Sequence, residues 1–197
     1  MSTSVIQAKS GVARDTAAKA RSERTKAVPV AGARRHPTGK MGYVVTYHPG
    51  KGVGDFIAQV SRASPLAIVE IERQGVPSAF LKDLSRSMEI PAGRMFTIVG
   101  LPKATAMRKV SSGGVISGSS GQAALGMAKL IAKAQDIVAN STAKEAQGFD
   151  AAKWLGRWIE RPQPSLGGRA PADLMDTPTG LEIVSKLLGA AESGAYL

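Results

Sequence analysis

The chain has 197 residues, of which 43% are hydrophobic and only 5% aromatic, and its formal charge is +11. It has no cysteine, which excludes disulfides and thiolate metal sites. Its two histidines, His36 and His48, lie in the N-terminal quarter, so we expect no metal, no cofactor and no catalytic residue. No apolar run approaches the roughly 20 residues of a membrane helix, and the first residues lack the apolar core of a secretory signal, which predicts a cytoplasmic protein.

The N-terminal segment is basic and poor in large apolar side chains. Residues 1–53 hold ten Lys/Arg against two Asp/Glu, a formal +8, whereas residues 54–197 hold sixteen against thirteen, a formal +3. Such a segment buries too little surface to offset its ordering entropy, so we predict a flexible, disordered basic arm over residues 1–54. The arm is either a solvated extension or a source of phosphate contacts to nucleic acid. Within it, residues 43–47 are typical of a strand and residues 48–54 of a hinge.

Helical periodicity starts near Asp55 and continues almost to the last residue. Apolar side chains recur at three- and four-residue spacing, the pattern of helices with one buried face, and Gly75 is placed to end the second segment. The sequence therefore predicts an all-α fold with an aliphatic core. We expect a first domain over residues 55–140 and a C-terminal domain over residues 141–197. The predicted helices begin near Asp55 and cover residues 65–74, 77–89, 122–140, 149–160 and 178–193.

Two short helices joined by a tight turn are predicted over residues 92–99 and 103–110. Gly100 ends the first helix, and the second is rich in hydrogen-bond donors, which is typical of a helix-turn-helix that binds DNA. Met107 and Val110 are expected to belong to the core. The same pattern also occurs in proteins that do not bind DNA. The candidate DNA-binding residues are Lys103, Thr105, Arg108 and Lys109.

The stretch PSLGGRAPADLMDTPTG, residues 164–180, has the chemistry of a loop that starts helices. Its two glycines permit backbone angles closed to other residues and allow a loop to pass tightly over the helix that carries Trp154 and Trp158. Asp176 or Thr177 can cap the last helix. A phosphate-binding loop and a pair of catalytic carboxylates are the alternatives, and capping explains the acidic residues better. The last helix has a wide apolar stripe, which indicates burial in a core or against a second copy: Leu181, Ile183, Val184, Leu187, Leu188 and Ala191.

This C-terminal pattern resembles the Xre/ParS/MbcA-type antitoxins of toxin–antitoxin systems whose toxin is a RES-domain protein. The segment GLPKATAMRK, residues 100–109, resembles the recognition-helix segment of that family. The resemblance covers about residues 65–197. Residues 111–121 depart from it because they are rich in Gly and Ser, which is expected to loosen the second helix or weaken DNA binding. The matching structural-motif residues are Leu166, Gly167, Gly168, Pro171, Leu174, Thr177 and Gly180.

The resemblance implies an antitoxin that binds and neutralises a RES-domain, NAD-consuming toxin. It implies that the C-terminal tail covers the toxin's active site, with Gly194, Ala195, Tyr196 and Leu197 as the toxin-binding residues, although a frayed terminus is the simpler explanation. It further implies that the antitoxin, or its complex with the toxin, represses its own operon through the helix-turn-helix. A homodimer is expected because a pair of recognition helices reads two half-sites of operator DNA. The alternative function is a stand-alone helix-turn-helix transcription regulator whose C-terminal module only dimerises. An enzyme is disfavoured because the predicted folded region has no histidine, cysteine or Walker loop.

Overall fold

The computed structural model describes residues 45–142 and 144–192, and in these ranges the protein is all-α, as predicted. The described residues all belong to one compact unit. The expected division at residue 140 stays a prediction, and most of the expected basic arm lies outside the described residues. The elements are α1 (Gly52–Arg62), α2 (Pro65–Gln74), β1 (Val76–Pro77), α3 (Ser78–Ser87), α4 (Ala92–Ile98), α5 (Lys103–Ser111), β2 (Val115–Ile116), α6 (Gly118–Ala139), α7 (Ala151–Ile159) and α8 (Pro178–Glu192), with short 3₁₀ turns at Pro49–Lys51, Lys144–Ala146, Pro164–Leu166 and Pro171–Leu174.

Helix α6 is the centre of the fold, because α1, α2, α7 and α8 all pack against it. It is 22 residues long, and half of its residues are buried, many of them alanines that let neighbouring helices approach. A side chain at Gly126 would overlap the Leu181 methyl groups, with the nearest at 2.6 Å, so this glycine admits α8 onto α6. Helix α6 therefore contacts α1 and α2 from the first half of the chain and α7 and α8 from the second half.

The segment that leads into α1 is anchored by Tyr47. Its ring packs edge-on against Phe56 and Phe80, with centroids 5.7 and 5.1 Å away, and its hydroxyl donates to Asp83. Val45 is also buried, but residues 45–47 form no strand, so the strand predicted here is absent from the described part of that segment. The chain here packs directly onto helices, with Val45 and Tyr47 buried and Thr46 exposed between them.

Several helix boundaries follow the sequence signals closely. Helix α2 covers the predicted residues, with Ser64 capping its first turn and Gly75 at a φ of 80° after its last. Helix α1 begins at Gly52, inside the predicted hinge, since glycine spacing alone does not prevent a helix that is packed on a core. Helix α6 begins at Gly118 rather than Gln122, within the Gly/Ser-rich segment.

The two-residue strands β1 and β2 pair antiparallel, and they were not predicted from the sequence. Val76 lies opposite Ile116, whose side chain is fully buried. Gly75 and Gly121 both approach the Ile116 carbonyl; a Cβ on Gly121 would lie 2.6 Å from its oxygen. The small ribbon therefore links the start of α3 to the start of α6. Among the described helices, none has the length and apolar character needed to cross a membrane.

Candidate DNA and toxin interfaces

The turn between α4 and α5 is closed by backbone hydrogen bonds. The Leu101 amide donates to the Phe96 carbonyl at 2.8 Å and the Gly100 amide to the Thr97 carbonyl at 3.0 Å, which is the Schellman arrangement. Gly100 has a φ of 64°, which permits this turn without strain, and Leu101 is buried beneath it. The predicted helix–glycine–helix unit is confirmed as a structural unit.

Helix α5 has one buried side and one exposed side. Ala106 is fully buried, and Thr105, Lys109 and Val110 are half-buried. Met107 is 57% exposed, so its predicted place in the core was wrong. The helix meets the core through small Ala106. Met107 is the next residue, so its side chain is turned by about 100° away from Ala106 and toward solvent. The exposed face consists of Lys103, Ala104, Met107, Arg108 and Ser111.

Of the four candidate DNA-binding residues, Lys103 and Arg108 point to solvent. Lys109 instead turns back, and its ammonium group donates to the Val115 carbonyl of β2. Thr105 is only partly accessible. The structure thus brings Lys103 and Arg108 onto one face and holds Lys109 beside it.

The Gly/Ser-rich segment after α5 is bonded to its surroundings along most of its length. The Gly114 amide donates to the Lys109 carbonyl at 2.8 Å, and the Ser78 hydroxyl donates to the same carbonyl at 3.0 Å. Further on, the Ser120 hydroxyl donates to the Gly100 carbonyl at 3.1 Å. These bonds hold the segment against both α3 and the turn, and the expected loosening of α5 or weakening of DNA binding stays a prediction.

All charged residues in the chain segment around α5 are basic. Residues 90–135 contain six Lys/Arg and no Asp or Glu. They comprise the whole helix–turn–helix, β2 and most of α6. Among the described residues, neither Lys103 nor Arg108 forms an ion pair. These cations consequently remain available to an external anion.

The C-terminal module starts at α7. Asp150 caps it by accepting a hydrogen bond from the Lys153 amide at 3.0 Å. Trp154 and Trp158 are one turn apart and stack with ring centroids 5.8 Å apart, both half-buried, and Phe149 lies 6.1 Å from Trp154. Each indole rests on the core with one side while keeping the other accessible.

The glycine pair in the loop after α7 serves the backbone conformation. Gly167 and Gly168 have φ angles of 64° and 81°, and no neighbouring atom lies within 4 Å of where a Cβ would stand. The predicted tight passage over the tryptophan helix is therefore wrong, while the predicted need for unusual backbone angles is confirmed. The turn is closed by an isolated bridge between Gln163 and Arg169.

The start of α8 is fixed by Thr177 and Gly180. The Thr177 hydroxyl accepts from the Gly180 amide at 3.0 Å and donates to the Leu174 carbonyl at 3.2 Å. Thr177 is thus the cap, and Asp176 instead lies against Gly100 of the turn. A side chain at Gly180 would overlap the Leu174 carbonyl oxygen and lie 2.6 Å from its carbon. This glycine is required because the backbones approach so closely.

The apolar stripe of α8 faces the core. Val184, Leu187 and Leu188 are buried, whereas Ile183 is 41% exposed. The Lys133 ammonium of α6 also donates to the Ser185 carbonyl at 2.5 Å. The α8 axis is therefore held on α6 along its length. The predicted toxin-binding residues, Gly194 to Leu197, lie outside the described residues.

One arginine connects α4 to the C-terminal module, and no local sequence pattern indicates it. Arg94 binds both carboxylate oxygens of Glu160, at 2.8 and 2.9 Å, and reaches Asp173 at 3.3 Å. Hydrogen bonding to Glu160 raises the pKa of Arg94, against the opposing effect of burial. Asp173 therefore takes part in an ion pair with Arg94. No cluster of three metal-ligating side chains occurs within residues 45–142 and 144–192.

These features define an all-α protein in which a helix–turn–helix with a cationic face is joined to a helical C-terminal module. Residues 146–194 match the family model for the antitoxin Xre/MbcA/ParS C-terminal toxin-binding domain. A relative from Sphingobium sp. (strain YBL2), named "Prs ADP-ribosylating antitoxin", is 35% identical over 148 residues, which cover 75% of this chain and 92% of the relative. The chain belongs to the Xre/MbcA/ParS family of antitoxins.

The family assignment gives a role to the C-terminal residues described above. The matched range includes Asp150, both tryptophans, the glycine loop and all of α8. The predicted resemblance is confirmed, and the protein is an antitoxin with a toxin-binding domain. The family is one of antitoxins rather than of enzymes.

Proposed function

We propose that this antitoxin neutralises a RES-domain toxin that consumes NAD. The observation that carries the proposal is the match of residues 146–194 to a toxin-binding domain, since this range includes the whole glycine motif. The name of the Sphingobium relative adds support, because it joins an antitoxin to ADP-ribosylation, and ADP-ribosyl transfer takes its group from NAD. Membership in an antitoxin family also favours this function over a stand-alone regulator.

The proposed mechanism is that the tail, Gly194 to Leu197, covers the toxin's active site. The anchoring of α8 supports this mechanism. Its first turn is fixed by the close approach of Gly180 to Leu174, and its middle is fixed by the Lys133 bond to Ser185. A helix held at several points presents whatever follows it from a defined position, which lowers the entropy lost when that segment binds.

The test is co-expression with the product of the neighbouring gene. Full-length chain is expected to restore growth and to co-purify with that protein. Deletion of residues 195–197 is expected to abolish growth rescue. An Arg108→Ala control, which lies on α5 outside the matched domain, is expected to rescue fully. If the deletion leaves rescue and complex formation intact, the blocking tail is wrong.

We also propose that α5 binds operator DNA and that the antitoxin represses its own operon as a homodimer. Two copies would place two recognition helices in successive major grooves, about 34–36 Å apart. Support comes from the closed turn, the solvent-facing Lys103 and Arg108, and the absence of acidic residues over 90–135. Thr105 and Lys109 lie at the edge of this face, and Lys109 must leave the Val115 carbonyl to reach a phosphate.

The DNA-binding proposal is tested with the DNA upstream of the gene. Replacing Arg108 and Lys109 with alanine is expected to weaken binding and to lower the salt dependence by about one to two phosphate contacts. Lys186→Ala provides a matched loss of an exposed cation on α8 and is expected to bind normally. Unchanged affinity in the double variant would refute the assignment of α5, and a single half-length footprint from a monomer would refute the homodimer.

A further inference from the structure

The exposed face of α5 has an apolar centre. Ala104 and Met107 are one turn apart, both exposed, and lie between Lys103 and Arg108. Met107 is 57% exposed. Packing within the chain therefore gives this side chain no reason to be apolar.

The cations around Ala104 and Met107 indicate a partner that is anionic and also has apolar groups. The flanking Lys103 and Arg108 have no ion-pair partners among the described residues, and residues 90–135 carry no Asp or Glu. The major groove of DNA offers this combination, because phosphates line its rims and the C5-methyl group of thymine projects from its floor. Small and apolar side chains recognise thymine by contact with that methyl group.

Resting on the proposed DNA binding, we propose that Ala104 and Met107 contact thymine methyl groups and thereby select thymine at the base pairs that face them. Lys103 and Arg108 hold the helix in register from either side through phosphates or guanine edges. The short Ala104 lets the backbone of α5 approach the bases, and the flexible Met107 side chain adapts to the methyl group that it meets.

The experiment compares two versions of the upstream DNA, one natural and one synthesised with deoxyuridine in place of thymidine. Uracil pairs with adenine as thymine does but lacks the methyl group, so base pairing is kept while every thymine methyl contact is removed. Wild-type full-length protein is expected to bind the uracil duplex more weakly, by roughly fourfold for each lost methyl contact. An unrelated duplex of the same length measures non-specific binding.

Variants then assign the effect to residues. Met107→Ala is expected to bind the natural duplex roughly tenfold more weakly and to discriminate much less between the two duplexes. Lys103→Ala is expected to weaken binding to both duplexes by the same factor, so the preference for the thymine duplex over the uracil duplex persists. Leu66→Ala, which removes an even more exposed apolar side chain on α2, is expected to behave as wild type.

Each contrary result has one meaning. Equal wild-type affinity for the two duplexes overturns the methyl contact while leaving DNA binding intact. Equal affinity for the natural and unrelated duplexes overturns the proposed operator binding together with this inference. If Met107→Ala weakens the toxin complex and leaves DNA binding unchanged, the apolar centre belongs to a protein interface and the inference is wrong.

Discussion

Replacing Gly180 with alanine is expected to destabilise the protein, whereas replacing Gly189 in the same helix is not. A Cβ at Gly180 would overlap the Leu174 carbonyl oxygen and lie 2.8 Å from the Thr177 hydroxyl that caps α8. At Gly189 the nearby described atoms are the Nζ and Cε of Lys133, at 2.8 and 3.3 Å, and this side-chain end can move aside at the expense of its bond to Ser185, whereas a backbone carbonyl cannot. The two substitutions are chemically identical and differ only in the space that they meet.

The magnitude follows from three contributions. Overpacking against a backbone carbonyl costs about 1–3 kcal/mol, and disturbing the Thr177 cap costs about 1 kcal/mol more. The higher helix propensity of alanine offsets up to about 1 kcal/mol. Gly180→Ala should therefore lose about 2 kcal/mol of folding free energy, while Gly189→Ala should gain up to about 1 kcal/mol.

Urea unfolding followed by far-ultraviolet circular dichroism measures both values, and a Tm shift of roughly 4–8 °C is expected for Gly180→Ala. Gly180→Ala should also bind toxin more weakly, because α8 can no longer keep its position. Equal stability of the two variants would refute the reasoning that close backbone approach explains the glycine in this motif.

Two further predictions concern the anchors of the fold. Tyr47→Phe should lose about 1 kcal/mol of folding free energy, because it removes the hydroxyl that donates to Asp83. Burial, more than that bond, raises the pKa of Tyr47 above its value in the unfolded chain. The free energy of unfolding of the wild type should therefore fall as pH rises above about 10. Tyr47→Phe should lack this part of the fall when the free energy of unfolding is measured against pH. Arg94→Ala should leave the Glu160 and Asp173 carboxylates without their shared cation. The expected loss of folding free energy is only about 1 kcal/mol, because all three groups are about one-third or more exposed and are therefore screened by solvent. That loss should shrink in high salt, which denaturation at two ionic strengths measures, and a salt-independent loss would refute the ion-pair explanation.

The fold could be predicted from sequence where local rules decide the structure. Ser64, Pro65 and Gly75 delimit α2 as capping rules require, and the glycine turn before α5 closes as expected. The family motif was recognisable from residue type and spacing. Two of its members have local roles: Thr177 caps α8, and Gly180 permits the close approach of the Leu174 backbone.

The remainder depended on tertiary packing. Met107 appeared to be a core residue because apolar side chains are usually buried, yet α5 meets the core through Ala106. The β1–β2 ribbon is too short for any periodicity, and its partners are separated by about 40 residues of chain, so only the assembled fold pairs them. Arg94 likewise finds Glu160 across 66 positions, a distance that no local pattern indicates.

We propose that this antitoxin silences an NAD-consuming toxin. The decisive measurement is the NAD consumption of the purified neighbouring gene product while the full-length chain is titrated in. NAD consumption is expected to stop as the complex saturates, and a chain that lacks residues 195–197 is expected to leave it unchanged. NAD consumption that continues unchanged at saturating full-length chain would show that the protein does not silence this toxin.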